Sequence, residues 1–181
     1  MTKRLFDVAL ALVLLILLSP LMLSSFLLAS LDTRSCGLFI QSRIGRYARP
    51  FHIYKIKTVH DLTRSSSGLG RFLRRTKLDE LPQLFNILRG DMSFVGPRPD
   101  LPGYYDTLKG EERKILDLKP GLTSEAGLKY YNEDALLAAQ QNPLEYNDKV
   151  LFPDKVRLNL EYYHHRSFWG DLKLIWRTVF R

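Results

Sequence analysis

The sequence predicts a mostly α-helical α/β protein in which an N-terminal membrane helix precedes one small domain of short strands and amphipathic helices. Three observations carry this reading: an uncharged apolar run at residues 8–31, an alternating segment at residues 51–58, and apolar residues at helical spacing further on. The expected boundaries are 1–34 for the membrane helix and 35–181 for a single functional unit. A chain of 181 residues is long enough for one core. With 45% apolar and 25% charged residues it is too apolar for a disordered chain and too charged for a polytopic membrane protein. The lone Cys36 excludes an internal disulfide framework, and the four scattered histidines have no zinc-site spacing.

The net charge of +8 is concentrated. Residues 43–77 hold ten Lys/Arg against the single acid Asp61, so the rest of the chain is near neutral. Such a block suits nucleic acid, anionic lipid headgroups or a substrate carrying several phosphates.

Residues 8–31 form 24 consecutive uncharged positions. As a straight helix they span about 36 Å, enough for a hydrocarbon core of roughly 30 Å. Pro20 sits in the middle and offers no N–H to the carbonyl of Ile16, so a kink is expected there. The hydroxyl of Ser19 is placed to cover that carbonyl. Both flanks are basic, with Lys3 and Arg4 on one side and Arg34, Arg43, Arg46 and Arg49 on the other. A span keeps its cations on one side, so this symmetry favours a re-entrant helix broken at Ser19-Pro20, entering and leaving by the same face. A one-pass anchor and a cleaved signal peptide are the alternatives. The long apolar run and the poor cleavage site near Ala29 count against the signal peptide.

Residues 51–58 (FHIYKIKT) read as a strand that puts Lys55 and Lys57 on one face, aimed at a common target or blunting an exposed edge. Residues 63–70 (TRSSSGLG) read as a flexible linker and lack the Gly-Lys-Ser/Thr of a phosphate-binding loop. Beyond them Leu78, Leu81, Leu84, Phe85 and Leu88 recur at helical spacing, and Gly90 supplies the stop. Pro82 is tolerated only in a first turn, so the helix is expected to begin near Asp79, at or close to its N-cap. There the free N–H groups, with Arg71, Arg74, Arg75 and Lys77, are expected to keep Asp79 and Glu80 ionised. An ionised aspartate can attack phosphorus, and a neighbouring carboxylate can hold Mg²⁺; a routine helix cap is the alternative.

Arg98 stands between prolines in FVGPRP, a rigid loop suited to clamping phosphate. Residues 119–121 are a turn signature, residues 133–141 are helix-prone, and residues 155–163 fit helix and strand equally. His164 and His165 read as surface or interfacial residues. The last segment sets Phe168, Leu172, Ile175 and Val179, with Trp169, Trp176 and Phe180, against Lys173, Arg177 and Arg181. This amphipathic helix suits a membrane boundary or a domain core.

The basic and apolar N-terminus with Ser19-Pro20, SRIGRYARPFHIYKIKT, GRFLRRTKLDELPQLFNILRGDMSFVGPRP, LKPGLTS and LEYYHHRSFWGDLKLIW together resemble the bacterial sugar transferases called monotopic phosphoglycosyl transferases. The resemblance covers nearly the whole chain and is densest in the central block. It implies a re-entrant membrane helix and a small catalytic domain at the cytoplasmic face of the bacterial inner membrane, with interfacial helices touching membrane lipids. The implied reaction moves a sugar 1-phosphate from a UDP-sugar to a polyprenyl (undecaprenyl) phosphate, giving polyprenyl-diphosphate-sugar and UMP. That is a first membrane step of surface glycan assembly, as in exopolysaccharide or lipopolysaccharide biosynthesis.

By matching positions, Asp79 is the implied nucleophile forming a phosphoglycosyl-aspartate, and Glu80 the catalytic carboxylate that binds Mg²⁺. Lys55 and Arg98 are implied phosphate ligands, and Lys57, Arg75 and Lys129 are further candidate substrate-binding cations. Lys57 stands where an arginine is common. After KPGLTS the chain reads EAGLKYYNEDALL instead of a Gln-Val-Asn-Gly-Arg-like segment, so Lys129 is the nearest cation and Tyr131 stands where an arginine is looked for. The chain resembles a minimal catalytic unit of the family. Candidate partners are a second copy of the chain and downstream glycosyltransferases; nucleic acid is not expected. A membrane-tethered nucleic-acid-binding module is the rival reading, but it leaves the paired carboxylates unexplained.

Overall fold

The computed structural model describes residues 2–180, so the expected place of Arg181 lies outside the described residues. The chain divides into two compact units, one made of residues up to 43 together with 51–92, the other of 44–50 together with those from 93 onward.

The first unit begins with α1 (Thr2–Thr33), which contains Pro20 and runs through it as one helix. The expected break at Ser19-Pro20 is therefore not an interruption of secondary structure. The physical reason lies in the preceding residue: the Ser19 hydroxyl donates to the Ile16 carbonyl at 2.9 Å, the acceptor that proline leaves without an N–H. Burial along α1 is uneven. Asp7 and Ala11 near one end and Ser25, Ala29 and Thr33 near the other are buried, whereas Leu12, Val13, Ile16, Leu17, Leu21 and Leu23 between them are exposed.

Strands β1 (Leu38–Ile44) and β2 (Pro50–Ile56) form a two-stranded sheet whose turn, residues 44–50, counts with the second unit. The alternating segment at residues 51–58 predicts β2, whereas β1 has no such signal, because its apolar and polar positions do not alternate cleanly. Helix α2 (Gly68–Arg75) starts inside the segment expected to be a flexible linker. Ser67 makes this possible by accepting from the Gly70 N–H as N-cap. One turn of 3-10 helix (Leu78–Glu80) leads to α3 (Gln83–Arg89), which ends at Gly90 with φ 94°. That left-handed stop is the one expected of the glycine. Ala29, Ile56 and Leu73, flanked by Leu69 and Leu78, pack α1, β2 and α2 together.

In the second unit β3 (Ser93–Val95) runs parallel to β4 (Gly121–Thr123), with Ser93 opposite Gly121 and Val95 opposite Thr123. The FVGPRP segment, expected as a loop, thus begins as a strand, and the Lys119-Pro120 turn feeds its partner. Two glycines permit this. A Cβ on Gly121 would lie 2.1 Å from the Gly96 nitrogen, so the backbones approach where no side chain fits. Two 3-10 segments (Tyr105–Thr107 and Gly110–Asp117) bring Tyr105, Leu108, Ile115 and Leu116 into a core with Ile44 and Val156.

The remaining helices among the described residues are α4 (Glu125–Lys129), α5 (Glu133–Ala138), α6 (Pro143–Tyr146), a π-helical stretch (Asn147–Leu151), α7 (Phe152–His165) and α8 (Phe168–Val179). Helix α7 settles residues 155–163 as helical, burying Val156 and Asn159 one turn apart and leaving His164 and His165 exposed. Helix α8 buries Asp171 and Leu174 and exposes Trp169, Trp176 and Val179, with Phe180 exposed at its C-cap. The Tyr162 hydroxyl donates to the Asp171 carboxylate at 2.6 Å, so that buried acid is partnered.

Candidate active site

Local backbone decides where the carboxylates go. Lys77 takes a left-handed conformation (φ 58°) at the end of α2, reversing the chain into the 3-10 turn that carries Asp79 and Glu80. Pro82 then occupies the N-cap of α3. Asp79 thus precedes the helix by one turn instead of capping it, because Pro82 is accommodated at the very start of α3 and the residues before it close their own 3-10 turn.

Both carboxylates are buried, each only 7% exposed. Glu80 Oε1 lies 3.2 Å from the Lys55 ammonium, which reaches it from β2. Asp79 Oδ1 accepts no hydrogen bond from any described residue. Burial, reinforced by the neighbouring Glu80 charge, pushes the Asp79 carboxyl up to about 6 against the opposing pull of Lys55, Lys77 and Arg74. The sequence predicts that cations and a helix N-terminus keep this group ionised; desolvation outweighs their pull on its basicity without neutralising it at neutral pH. At neutral pH the group is still mostly ionised, and a carboxylate of raised basicity with an unoccupied lone pair is a competent nucleophile.

Lys57 falls one residue past the end of β2, outside the strand that carries Lys55, and serves another neighbour. Its ammonium donates to the Asp61 carboxylate at 2.6 Å and to the Ser35 hydroxyl at 2.9 Å, just past the end of α1. Arg75 closes α2 and is exposed. Arg98 and Lys129 belong to the second unit. Arg98, half-buried between its prolines, lines a small cleft with Gly45 and Tyr105. Lys129 is bound to Asp154 at 2.7 Å, and the Tyr130 hydroxyl donates to the same carboxylate. Of the sequence-predicted site residues, then, Lys55, Asp79 and Glu80 are brought together in the first unit.

Sequence reasoning passed over Asn86. It is fully buried, and its carboxamide grips β2: the Nδ2 donates to the His52 carbonyl at 2.7 Å while Oδ1 accepts from the Tyr54 N–H at 3.2 Å. A polar residue on the inner side of a leucine-spaced helix was the available signal. Arg4 was anticipated only as a flanking charge. Its guanidinium donates to the carbonyls of Ile87 and Leu88, the latter at 2.8 Å, at the C-terminal end of α3.

The first unit thus carries a buried carboxylate pair with a lysine beside it, together with a helix long and apolar enough to cross a membrane. The chain belongs to the bacterial sugar transferase family, whose profile matches residues 1–181. It is 35% identical to the UDP-glucose:undecaprenyl-phosphate glucose-1-phosphate transferase of Caulobacter vibrioides, covering 98% of this chain and 68% of that protein. It is 33% identical to the uncharacterized sugar transferase EpsL of Bacillus subtilis, over 98% of this chain and 85% of EpsL. The UDP-glucose:undecaprenyl-phosphate glucose-1-phosphate transferase of Escherichia coli K12 is 31% identical over 99% of this chain, which spans 39% of that longer protein. The protein is a transferase.

Proposed function

We propose that this chain moves a sugar 1-phosphate from a UDP-sugar to undecaprenyl phosphate at the cytoplasmic face of the bacterial inner membrane, in two displacements through Asp79. The names of the Caulobacter and E. coli relatives support the overall reaction. The observation that carries the Asp79 assignment is its buried carboxylate, free of hydrogen bonds at Oδ1 and raised in basicity, next to Glu80 and Lys55.

In the first step a carboxylate oxygen of Asp79 attacks the phosphorus bonded to the sugar, and the bond to the bridging oxygen breaks to release UMP. In the second, an oxygen of undecaprenyl phosphate attacks the same phosphorus and Asp79 leaves as carboxylate, so the two steps balance without a redox partner. Lys55 offsets the negative charge that keeps a carboxylate away from a diphosphate.

The donor set fits Mg²⁺, a hard cation commonly held by one or two carboxylates and substrate phosphate oxygens. Glu80 would hold it beside Asp79. No cluster of three metal-ligating side chains occurs among the described residues, so the diphosphate would supply the other ligands. When bound, the ion would neutralise phosphate charge.

Helix α1 is read as re-entrant because both of its ends are tied to one short stretch of the first unit. Arg4 holds the end of α3, and Asp32 accepts from Ser67 at the head of α2 at 2.6 Å, while the middle of α1 is exposed. A straight crossing would carry one of those ends to the far side of about 30 Å of hydrocarbon. Tags at the two termini of the chain are expected to be labelled from the same side in intact cells, and opposite sides would end this reading.

The reaction is tested by UMP release from a panel of UDP-sugars with undecaprenyl phosphate and Mg²⁺. Mass spectrometry of the protein quenched without lipid acceptor is expected to show a sugar phosphate on Asp79. No UMP release with any of the UDP-sugars, or transfer in one step without an adduct, would refute it.

A further inference from the structure

Among the described residues β2 has a single neighbour in its sheet, β1, so one of its edges lacks a strand partner. Edge N–H and C=O groups at this depth need partners. The Asn86 carboxamide supplies them in a specific pattern: it donates to the carbonyl of His52 and accepts from the N–H of Tyr54, flanking Ile53. A residue of a parallel strand bonds in the same way, giving its N–H to one residue and taking an N–H from the residue two further on. The side chain of Asn86 thus acts as a one-residue parallel strand on the open edge of β2.

The rest of Asn86 is anchored as firmly. Its backbone carbonyl accepts from Gly90 and Asp91 at 3.1 and 3.0 Å where α3 ends, and its Nδ2 lies 3.4 Å from Asp91 Oδ2. Helix and strand are therefore joined through one residue that is 0% exposed. Lys55 follows Tyr54 directly, and Glu80 lies at the head of the segment that continues into α3. A strand slipped by one residue turns every side chain to the other face. Lys55 would then point away from Glu80.

We propose that Asn86 is a positioning residue for the transfer reaction: by pairing with the open edge of β2 it sets the phase of the strand and thereby holds the Lys55 ammonium against Glu80. This rests on the reaction proposed above for the same site. Asn86 is fully buried, so its effect passes through Lys55 and not through contact with substrate.

The test uses the full chain in detergent, with Asn86→Ser and Asn86→Asp, and Asn159→Ser as a control of matched burial. Asn159 is 2% exposed and bonds the Tyr105 hydroxyl in the second unit. The Asn86 variants are expected to lose about 10- to 100-fold in kcat for UMP release with little change in KM for the UDP-sugar. Asn159→Ser is expected to keep kcat near wild type at an equal loss of Tm. Hydrogen exchange gives the second readout: the Tyr54 amide is protected in the wild-type protein, and in the variants it exchanges faster while the α3 amides stay protected. Equal kcat losses in all three variants at matched Tm would overturn the proposal. So would a Tyr54 amide that exchanges at the unprotected rate in the wild type, a measurement that stands even if the variants fail to fold. Absence of UMP release by the wild-type protein would refute the reaction instead, and leaves the exchange result to judge the strand pairing.

Discussion

Asp79 and Asp154 are the same side chain in opposite surroundings. Asp154, in the first turn of α7, accepts from Lys129 and the Tyr130 hydroxyl at 2.7 Å each and from Arg157 at 2.8 Å. Those donors hold its carboxyl far below the usual carboxylate range. Asp79 also has cations in reach, yet burial and the charge of Glu80 push it the other way, and one of its oxygens is left without a hydrogen bond. Cations alone therefore do not decide what a carboxylate does. Donors that occupy its lone pairs make it a structural link, whereas desolvation with a lone pair left open makes it a reagent.

The sharpest way to break this contrast is Asp79→Asn. UMP release is expected to fall by at least about 10³-fold, because the amide cannot serve as nucleophile. The same substitution is expected to stabilise the protein at pH 7.5 without divalent cations, by on the order of 2 kcal/mol, since the raised carboxyl is a cost of burying charge. The sign follows from proton binding. The folded form holds the Asp79 proton more tightly than the unfolded one, so the variant's advantage is complete above about pH 6 and disappears on acidification toward the ordinary value of 3.8. Unfolding curves across this range would show it, and an Asp79→Asn protein less stable than wild type at neutral pH would remove the contrast.

Asp154→Asn is the smaller counterpart. Here the folded state releases the proton more readily, so stabilisation is full above the ordinary 3.8 and is lost only as the solution becomes more acidic than that. At neutral pH the variant is expected to lose about 1 kcal/mol in unfolding measurements, as a partly exposed ion-pair network does, with UMP release near wild type. A large loss of turnover would instead draw Lys129 into the reaction. Ser93→Ala should have the least effect. Its Oγ is, with Asp79 Oδ1, a buried side-chain oxygen without a partner, but it carries no charge. Thermal unfolding is expected to change by less than about 1 kcal/mol, toward greater stability, because no hydrogen bond is lost. Marked destabilisation would contradict that accounting.

What was legible in the sequence follows the range of the interactions. The alternation that makes a strand around Lys55, the proline at the head of α3, the glycine at its end and the helical repeat of residues 168–179 are local, and each reappears in the structure, although β2 stops at Ile56 and leaves Lys57 just outside it. The Ser19 hydroxyl was correctly assigned to the Ile16 carbonyl because only three residues separate them. Less local features escaped. The burial that shifts Asp79 depends on packing around its turn, and Asn86 works through residues 32 and 34 positions away. β4 was hidden inside a turn signature, since its pairing with β3 rests on two glycines that meet only in the folded chain. The bonds of Lys57 to Asp61 and Ser35, at the exit of α1, were likewise not legible from the alternation of residues 51–58.

One consequence of how α1 is seated concerns any attempt to make this protein soluble. Ala29 is 1% exposed because Ile56 and Leu73 close around it, and Asp32 and Arg4 fasten the helix to α2 and α3. Cutting the chain after residue 34, or exchanging the hydrophobic segment for a generic anchor, would strip the inner lining from the very unit that bears the carboxylates. The segment behaves as a wedge and not as a leash, and detergent or a nanodisc has to accompany it into any preparation meant to turn over substrate.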